Sequence, residues 1–117
     1  MSDKKVKERS YEFALEIIKL VRLMPKDTAG YALGRQLIRS GTSVGANIEE
    51  AQGASSKKDF TNKINIAKKE ARETRYWLNL IIDSGILVKP KVESVLKDCN
   101  SILNILTAIV KTSTHNS

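Results

Sequence analysis

The side chains that most often carry out catalysis are scarce in this sequence. Its only histidine, His115, lies two residues from the end, and its only cysteine, Cys99, lies among apolar residues spaced as on one helix face. General acid–base and nucleophilic catalysis both need a reactive group held against a partner. We therefore interpret Cys99 as a core residue and expect no enzymatic activity.

The sequence also lacks the patterns that hold metals or cofactors. A metal site needs several ligands at short spacing, and the chain has neither a second cysteine nor a second histidine. The adjacent Glu49 and Glu50 point about 100° apart on a helix, so they cannot act as a carboxylate pair. Neither a P-loop nor the glycine-rich dinucleotide motif is present. We expect no metal and no cofactor.

One polar stripe occurs on the second predicted helix. Its four residues fall at positions i, i+4, i+8 and i+11, which share one face of a helix: Arg39, Ser43, Asn47 and Glu50. The stripe is either an ordinary solvated surface or a hydrogen-bonded network at a helix–helix or subunit contact. In the second case it would need basic partners, which the third predicted helix offers.

The strongest binding pattern is a group of cations on one flank of that third helix, at Lys57, Lys68, Arg72 and Arg75. The chain has 20 Lys and Arg against 13 Asp and Glu, for a formal charge of +7. Glu70 and Glu73 could neutralise part of this charge, and Tyr76 is the only aromatic residue among the cations. The pattern favours contacts to nucleic-acid phosphates over base stacking, although a charged surface that serves only solubility would look similar.

Apolar residues repeat at helical spacing in four segments. The third segment also carries a second apolar strip beside its core face, which we call the apolar shoulder: Ile66, Trp77 and Leu80. Either this shoulder contacts another subunit, or Trp77 closes the core of the monomer. In the second segment, Gly41 and Gly45 lie four residues apart, which allows a close approach of another helix, unless the helix breaks near Gly41.

Local start and stop residues bound the four helices. Pro25, Gly85 and Pro90 mark ends or starts, Asp27 or Thr28 is a candidate N-cap, and Ser56 with Asp59 resembles a capping box. The predicted helices span residues 5–24, 28–52, 57–84 and 90–112, with a flexible tail at 113–117. The connections of about four to six residues force neighbouring helices to run antiparallel.

The predicted fold is therefore all-α, one domain folded as an up-down-up-down four-helix bundle. No run approaches the ~18 apolar residues that a transmembrane helix needs, and the N-terminus does not read as a secretory signal. We expect a cytoplasmic protein.

Three stretches of the chain resemble a known family. They read R-S-G-T-S-V-G-A-N-I-E-E-A-Q-G at 39–53, S-K-K-D-F-T-N-K at 56–63 and I-A-K-K-E-A-R-E-T-R-Y-W-L at 66–78. The family comprises small four-helix-bundle proteins encoded inside intervening sequences of bacterial large-subunit ribosomal RNA genes. The accessory variability determinant of diversity-generating retroelements is a relative. The resemblance covers residues 8–112, although Glu49 and Ala51 depart from the N-I-A-E-G that many members carry.

This resemblance implies a homopentamer, a barrel of five bundles in which the apolar shoulder would be an interface. In the retroelement relative, such a basic barrel works with a reverse transcriptase and binds nucleic acid. We therefore expect a non-catalytic, homo-oligomeric accessory protein that binds RNA or DNA, with RNA as the first expectation and a reverse transcriptase or another protein as a further partner. The alternatives are an oligomeric scaffold for protein–protein interaction and a passenger of a mobile element.

Overall fold

A computed structural model describes residues 3–115 of the chain, and over these residues it is all-α. Helix α1 spans Asp3–Val21, α2 Thr28–Gln52, α3 Lys57–Asp83 and α4 Lys89–His115. The bundle is a rod of 47 × 21 × 19 Å. Helix α1 packs against α2 and α4, and α3 packs against the same two neighbours. None of these helices combines the length and apolar character that a membrane span requires.

The core runs along the axis of this rod. Each helix contributes fully buried aliphatic side chains, including Ile17, Leu37, Ile64, Leu78 and Leu106. Burying one such side chain stabilises the fold by about 1.5–3 kcal/mol. A polar pair also lies in the core, where the hydroxyls of Ser40 and Thr74 hydrogen-bond at 2.9 Å between α2 and α3. This pair favours the observed register of the two helices, and each hydroxyl can also donate to a carbonyl of its own helix.

Helix α2 continues unbroken past its glycines, which face α1. A Cβ atom on Gly41 would lie 2.8 Å from side-chain atoms of Ile17, and one on Gly45 would lie 3.3 Å from the Ser10 carbonyl oxygen. The glycine spacing thus allows the close approach that the sequence predicts, and there is no break near Gly41.

Two of the helix starts follow the sequence prediction closely. Asp27 is the N-cap of α2, and its carboxylate accepts a 2.8 Å hydrogen bond from the Gly30 N–H. Ser56 caps α3 by accepting from the Asp59 N–H at 3.0 Å. At the other end of α3, Gly85 has a φ of +72°, a conformation that glycine adopts without strain.

The ends of α1 and α4 differ from the prediction by three residues each, and the other helix bounds agree within two residues. Helix α1 stops at Val21 rather than residue 24, because the N–H groups of Leu23 and Met24 donate to carbonyls three residues back and tighten the chain into a turn. Helix α4 continues to His115, so residues 113–115 are helical where the sequence predicts a flexible tail. Ser113 is buried and its hydroxyl hydrogen-bonds with Thr61 of α3, which holds this last turn. Residues 116–117 lie outside the described residues.

Candidate nucleic-acid interface

The predicted cations lie along the side of α3 that faces α4. Thr61 and Arg75 mark this side, since Thr61 bonds with Ser113 and the Arg75 Nη1 donates to the Asn100 Oδ1 at 3.5 Å. Lys68 lies seven residues from each of them, which is about two helical turns, so it falls on the same side. We call the four predicted cations the basic flank: Lys57, Lys68, Arg72 and Arg75.

The basic flank has no carboxylate partner in the part of the chain that the structure describes. Lys57, Lys68 and Arg72 form no ion pair, and the partner of Arg75 is a neutral amide. Lys57 and Arg72 are exposed, whereas Lys68 and Arg75 are half-buried. From Lys57 to Arg75 the flank is about 27 Å long, so it can follow several successive phosphates of a nucleic-acid strand.

Sequence reasoning missed what α4 adds to this surface. Asn100 supplies an amide oxygen that accepts a long hydrogen bond from Arg75. Lys111 is exposed and lies eleven residues, or three turns, after Asn100, so it adds a fifth cation on the α4 side of the flank. The spacing of Asn100 and Lys111 is visible in the sequence, but the sequence does not show that this side of α4 borders the basic flank.

The opposite side of α3, which faces α2, carries a neutralised cluster. Arg39 of α2 contacts two acidic residues of α3, with its Nη1 3.1 Å from the Glu70 Oε2 and its Nη2 hydrogen-bonded to Glu73. The hydrogen bond with Glu73 raises the pKa of Arg39. Glu70 and Glu73 are therefore matched by a cation from the neighbouring helix, and neither is paired with the cations of its own helix.

The polar stripe of α2 does not form one connected network. The Ser43 hydroxyl donates to the Arg39 carbonyl at 2.7 Å, and the Asn47 amide donates to the Ser43 carbonyl at 2.8 Å. Both side chains thus bond one turn back on their own helix, while Glu50 is exposed. Of the four residues, Arg39 is the one shown to reach α3, and its partners are acidic rather than the basic ones that the sequence analysis expected.

The apolar shoulder lies on the same side of α3 as the neutralised cluster. Ile66 is 41% exposed, whereas Trp77 and Leu80 are half-buried. Trp77 packs partly against the core and meets Tyr76 edge to face, with ring centroids 5.0 Å apart. Its indole N–H is shielded from solvent and has no acceptor among the described residues. Trp77 thus covers part of the core of the monomer and also leaves a donor without a partner.

The single thiol lies in the core, as the sequence predicts. Cys99 is fully buried, and its Sγ lies 3.2 Å from the carbonyl oxygen of Ala71 on α3. Burial raises the pKa of this thiol to about 12, so it stays protonated at neutral pH and is a poor nucleophile. No group of three or more metal-binding side chains occurs within the described residues, and the side chain of His115 lies outside them.

Comparison with known proteins relates this bundle to one family. A family model described as "23S rRNA-intervening sequence protein" matches residues 2–108. The chain belongs to this family. A crystal structure from Bacteroides thetaiotaomicron VPI-5482, described as a protein with unknown function from the S23 ribosomal protein family, is 43% identical and superposes with a TM-score of 0.88. The match covers 95% of this chain and 99% of that one. No curated protein matches the chain.

Two residues of this chain depart from the N-I-A-E-G that the resemblance implies, and each has a defined place in the structure. Glu49, at the alanine position, forms a 2.9 Å ion pair with Lys7 of α1. Ala51, at the glycine position, is 2% exposed and packs into the core. Both substitutions therefore fit a bundle that keeps the family fold.

Proposed function

We propose that this chain is a non-catalytic, homo-oligomeric protein that binds nucleic acid, RNA first, through phosphate contacts at the basic flank. The observation that supports this most directly is that acidic and basic side chains of α3 differ in whether they form ion pairs. Two of its acidic residues, Glu70 and Glu73, are matched by Arg39, while the cations of the basic flank have no acidic partner among the described residues. Unmatched cations in a row are what a polyanion contacts most favourably.

The surroundings of the basic flank suit phosphates better than bases. Tyr76 is the one exposed aromatic side chain among these cations, so the described residues offer no row of stacking platforms beside them. Asn100 is a neutral group to which Arg75 donates a long hydrogen bond. Contacts of this kind position a nucleic acid without reading its sequence, so binding should be strong at low salt and weakly selective.

Assembly of several subunits would strengthen this interaction. The homopentamer implied by the family resemblance is supported here by the exposed Ile66 and by the unpartnered indole N–H of Trp77 on the apolar shoulder. Five copies at +7 each carry a formal charge of 5 × 7, or +35. A charge of that size on one particle attracts a polyanion far more strongly than a single subunit does.

Charge reversal at the basic flank tests the proposal. The variant Lys68→Glu, Arg72→Glu, Arg75→Glu should bind a short RNA duplex at least about 50-fold more weakly at 50 mM salt, measured by fluorescence anisotropy. A control with the same charge change away from the flank, Lys19→Glu, Lys63→Glu, Lys69→Glu, should lose much less affinity. Circular dichroism should show both variants folded. Equal losses in the two variants would show that net charge, not the flank, determines binding.

A second candidate function is a scaffold that binds another protein through the apolar shoulder, where Ile66 is exposed. In that case RNA affinity would be weak at physiological salt and equal in the flank variant and its control. Substitution of Ile66 by Asp would then remove the protein partner while the bundle stays folded.

A further inference from the structure

An open groove lies between the end of α1 and the first turns of α2, on the outer face of the bundle. Its volume is about 670 Å³, inside the ~300–1,000 Å³ range of small-molecule sites. Since α1 and α3 each pack against both α2 and α4, the α1–α2 face lies opposite the α3–α4 face that carries the basic flank. We call this the connection groove, and its lining includes Val21, Arg22, Lys26, Tyr31, Arg35 and Ile38.

Three cations border the connection groove. Arg22 and Lys26 lie in the α1–α2 connection, and Arg35 lies on α2. All three are exposed, and none forms an ion pair or a side-chain hydrogen bond with another described residue. The carboxylate of the connection, Asp27, is the N-cap of α2 and accepts from the Gly30 N–H at 2.8 Å. The groove therefore presents positive charge to a ligand.

Tyr31 gives the connection groove an aromatic wall. Its side chain is 58% exposed and has neither a ring contact nor a hydrogen bond among the described residues. Tyr31, Arg35 and Ile38 fall at positions i, i+4 and i+7, so they share one face of α2. The half-buried Val21 and Ile38 add apolar surface to the same groove. A free aromatic ring beside cations and apolar surface suits a ligand that is both aromatic and anionic.

A nucleotide has this chemistry. Proteins hold unpaired nucleotides by stacking the base on an aromatic side chain and by following the phosphates with cations. Tyr31 and Arg35 are one helical turn apart, about 6 Å along the axis of α2, which is comparable to the distance from a base to its own phosphate. An acidic peptide would pair with the cations but would leave the Tyr31 ring without a partner.

We infer that the connection groove binds an unpaired nucleotide of an RNA strand, with the base stacked on Tyr31 and the phosphates held by Arg22, Lys26 and Arg35. The inference rests on the proposed function in that RNA is the ligand. It goes beyond that function because it assigns base stacking, and with it a preference for single strands, to the face opposite the basic flank. The two sites share no residue, so each can be tested without the other.

Tyrosine variants test the stacking contact. Tyr31→Ala should bind a single-stranded RNA of about six nucleotides at least about fivefold more weakly, measured by fluorescence anisotropy. Tyr31→Phe keeps the ring and should bind nearly as tightly as the wild type. The matched control is Tyr11→Ala, because Tyr11 is 67% exposed on α1 but lines a different groove, and it should have little effect. All four proteins should bind a blunt RNA duplex equally, since it offers no unpaired base.

Cation variants test the phosphate contacts. The variant Arg22→Gln, Lys26→Gln, Arg35→Gln should lower the single-strand affinity and reduce the slope of log affinity against log salt by about 2, as expected for three phosphates of a single strand. The control Lys19→Gln, Lys63→Gln, Lys69→Gln removes the same charge away from the groove and should change the slope much less. Equal changes in the two variants would overturn the assignment of these cations.

Photochemical cross-linking locates the base. A single-stranded RNA that carries 5-iodouridine should cross-link to Tyr31, as mapped by mass spectrometry. Unchanged single-strand affinity in Tyr31→Ala, or cross-links confined to α3 and α4, would overturn the inference. Displacement of the RNA by an equal concentration of uridine monophosphate or of a glutamate peptide would also overturn it, because the groove would then select a free nucleotide or an acidic chain.

The same measurements separate this inference from the proposed function. Duplex binding that depends on the basic flank, together with no effect of Tyr31→Ala on single strands, would remove this inference alone. A Tyr31 cross-link together with equal duplex binding by the flank variant and its control would remove the proposed function alone. A wild type that binds neither RNA would overturn both.

Discussion

The two sides of α3 both carry charged residues, and they differ in what the neighbouring helix does with them. Toward α2, Glu70 and Glu73 meet the guanidinium of Arg39. Toward α4, Arg75 of the basic flank donates to the amide oxygen of Asn100, and Thr61 on the same side hydrogen-bonds with Ser113. On the α2 side the charges form ion pairs between helices. On the α4 side the cations remain available to bind a partner.

The difference shows that a count of charges along one helix does not decide which of them can bind. Glu70 and Glu73 alternate with the cations of the same helix and would be expected to weaken them. Because Arg39 engages both carboxylates from across the α2–α3 contact, the cations on the other side are left without acidic partners among the described residues. The neighbouring helices therefore separate structural charge from available charge.

The largest expected effect is on the free energy of unfolding at high pH. It concerns Cys99, which is buried behind the basic flank. Its pKa, about 12 in the folded chain, exceeds the ordinary value of 9.0, so the folded state keeps the proton more tightly than the unfolded state. The stabilisation is complete below about pH 9 and is lost as pH rises toward 12. Between pH 9 and pH 11, urea unfolding should show the wild type losing about 2–3 kcal/mol more stability than Cys99→Ala. Equal losses would show that the thiol is not shielded.

A smaller effect is expected if the α2 side is made to resemble the α4 side. Glu70→Gln with Glu73→Gln removes the carboxylates and releases Arg39, which adds one cation able to contact a phosphate. RNA affinity at 50 mM salt should rise about five- to tenfold, and the salt dependence should steepen by about one phosphate contact. An unchanged affinity would mean that Arg39 is held away from the nucleic acid even when it is free.

The smallest effect compares one charge reversal on each side. Arg39→Glu should lower the midpoint of thermal unfolding, because it places three carboxylates together between α2 and α3. Arg75→Glu should leave that midpoint nearly unchanged, since it loses only a long hydrogen bond to Asn100, while it weakens RNA binding. A larger thermal loss for Arg75→Glu would contradict the assignment of structural and available charge.

Much of the fold could be predicted from the sequence because it depends on local patterns. The spacing of apolar residues places Ile64, Ala67, Ala71 and Leu78 on a buried face, and the structure buries all four. The approach of α1 to Gly41 follows from the missing side chain, and the caps at Asp27 and Ser56 follow from short motifs. Each of these is decided within a few residues of chain.

The partners of the site residues could not be predicted in the same way. Periodicity places Arg39 on one side of α2, but it does not say which side of α3 lies opposite. In the structure the side of α3 that carries Glu70 and Glu73 lies opposite Arg39. The hydrogen bond between Ser113 and Thr61 joins residues 52 positions apart, so nothing local to the tail shows that α4 continues there. Register between helices is set by packing over the whole bundle, which one helix pattern does not contain.

The most direct test of the central claim is the salt dependence of RNA binding, measured by anisotropy from 50 to 300 mM NaCl. If the four cations of the basic flank each contact a phosphate, the slope of log affinity against log salt should be about −3 to −4 for the wild type. It should fall to about −1 when Lys68, Arg72 and Arg75 are changed to Glu. Equal slopes for the two proteins would contradict the account, because the binding charges would then lie elsewhere on the bundle.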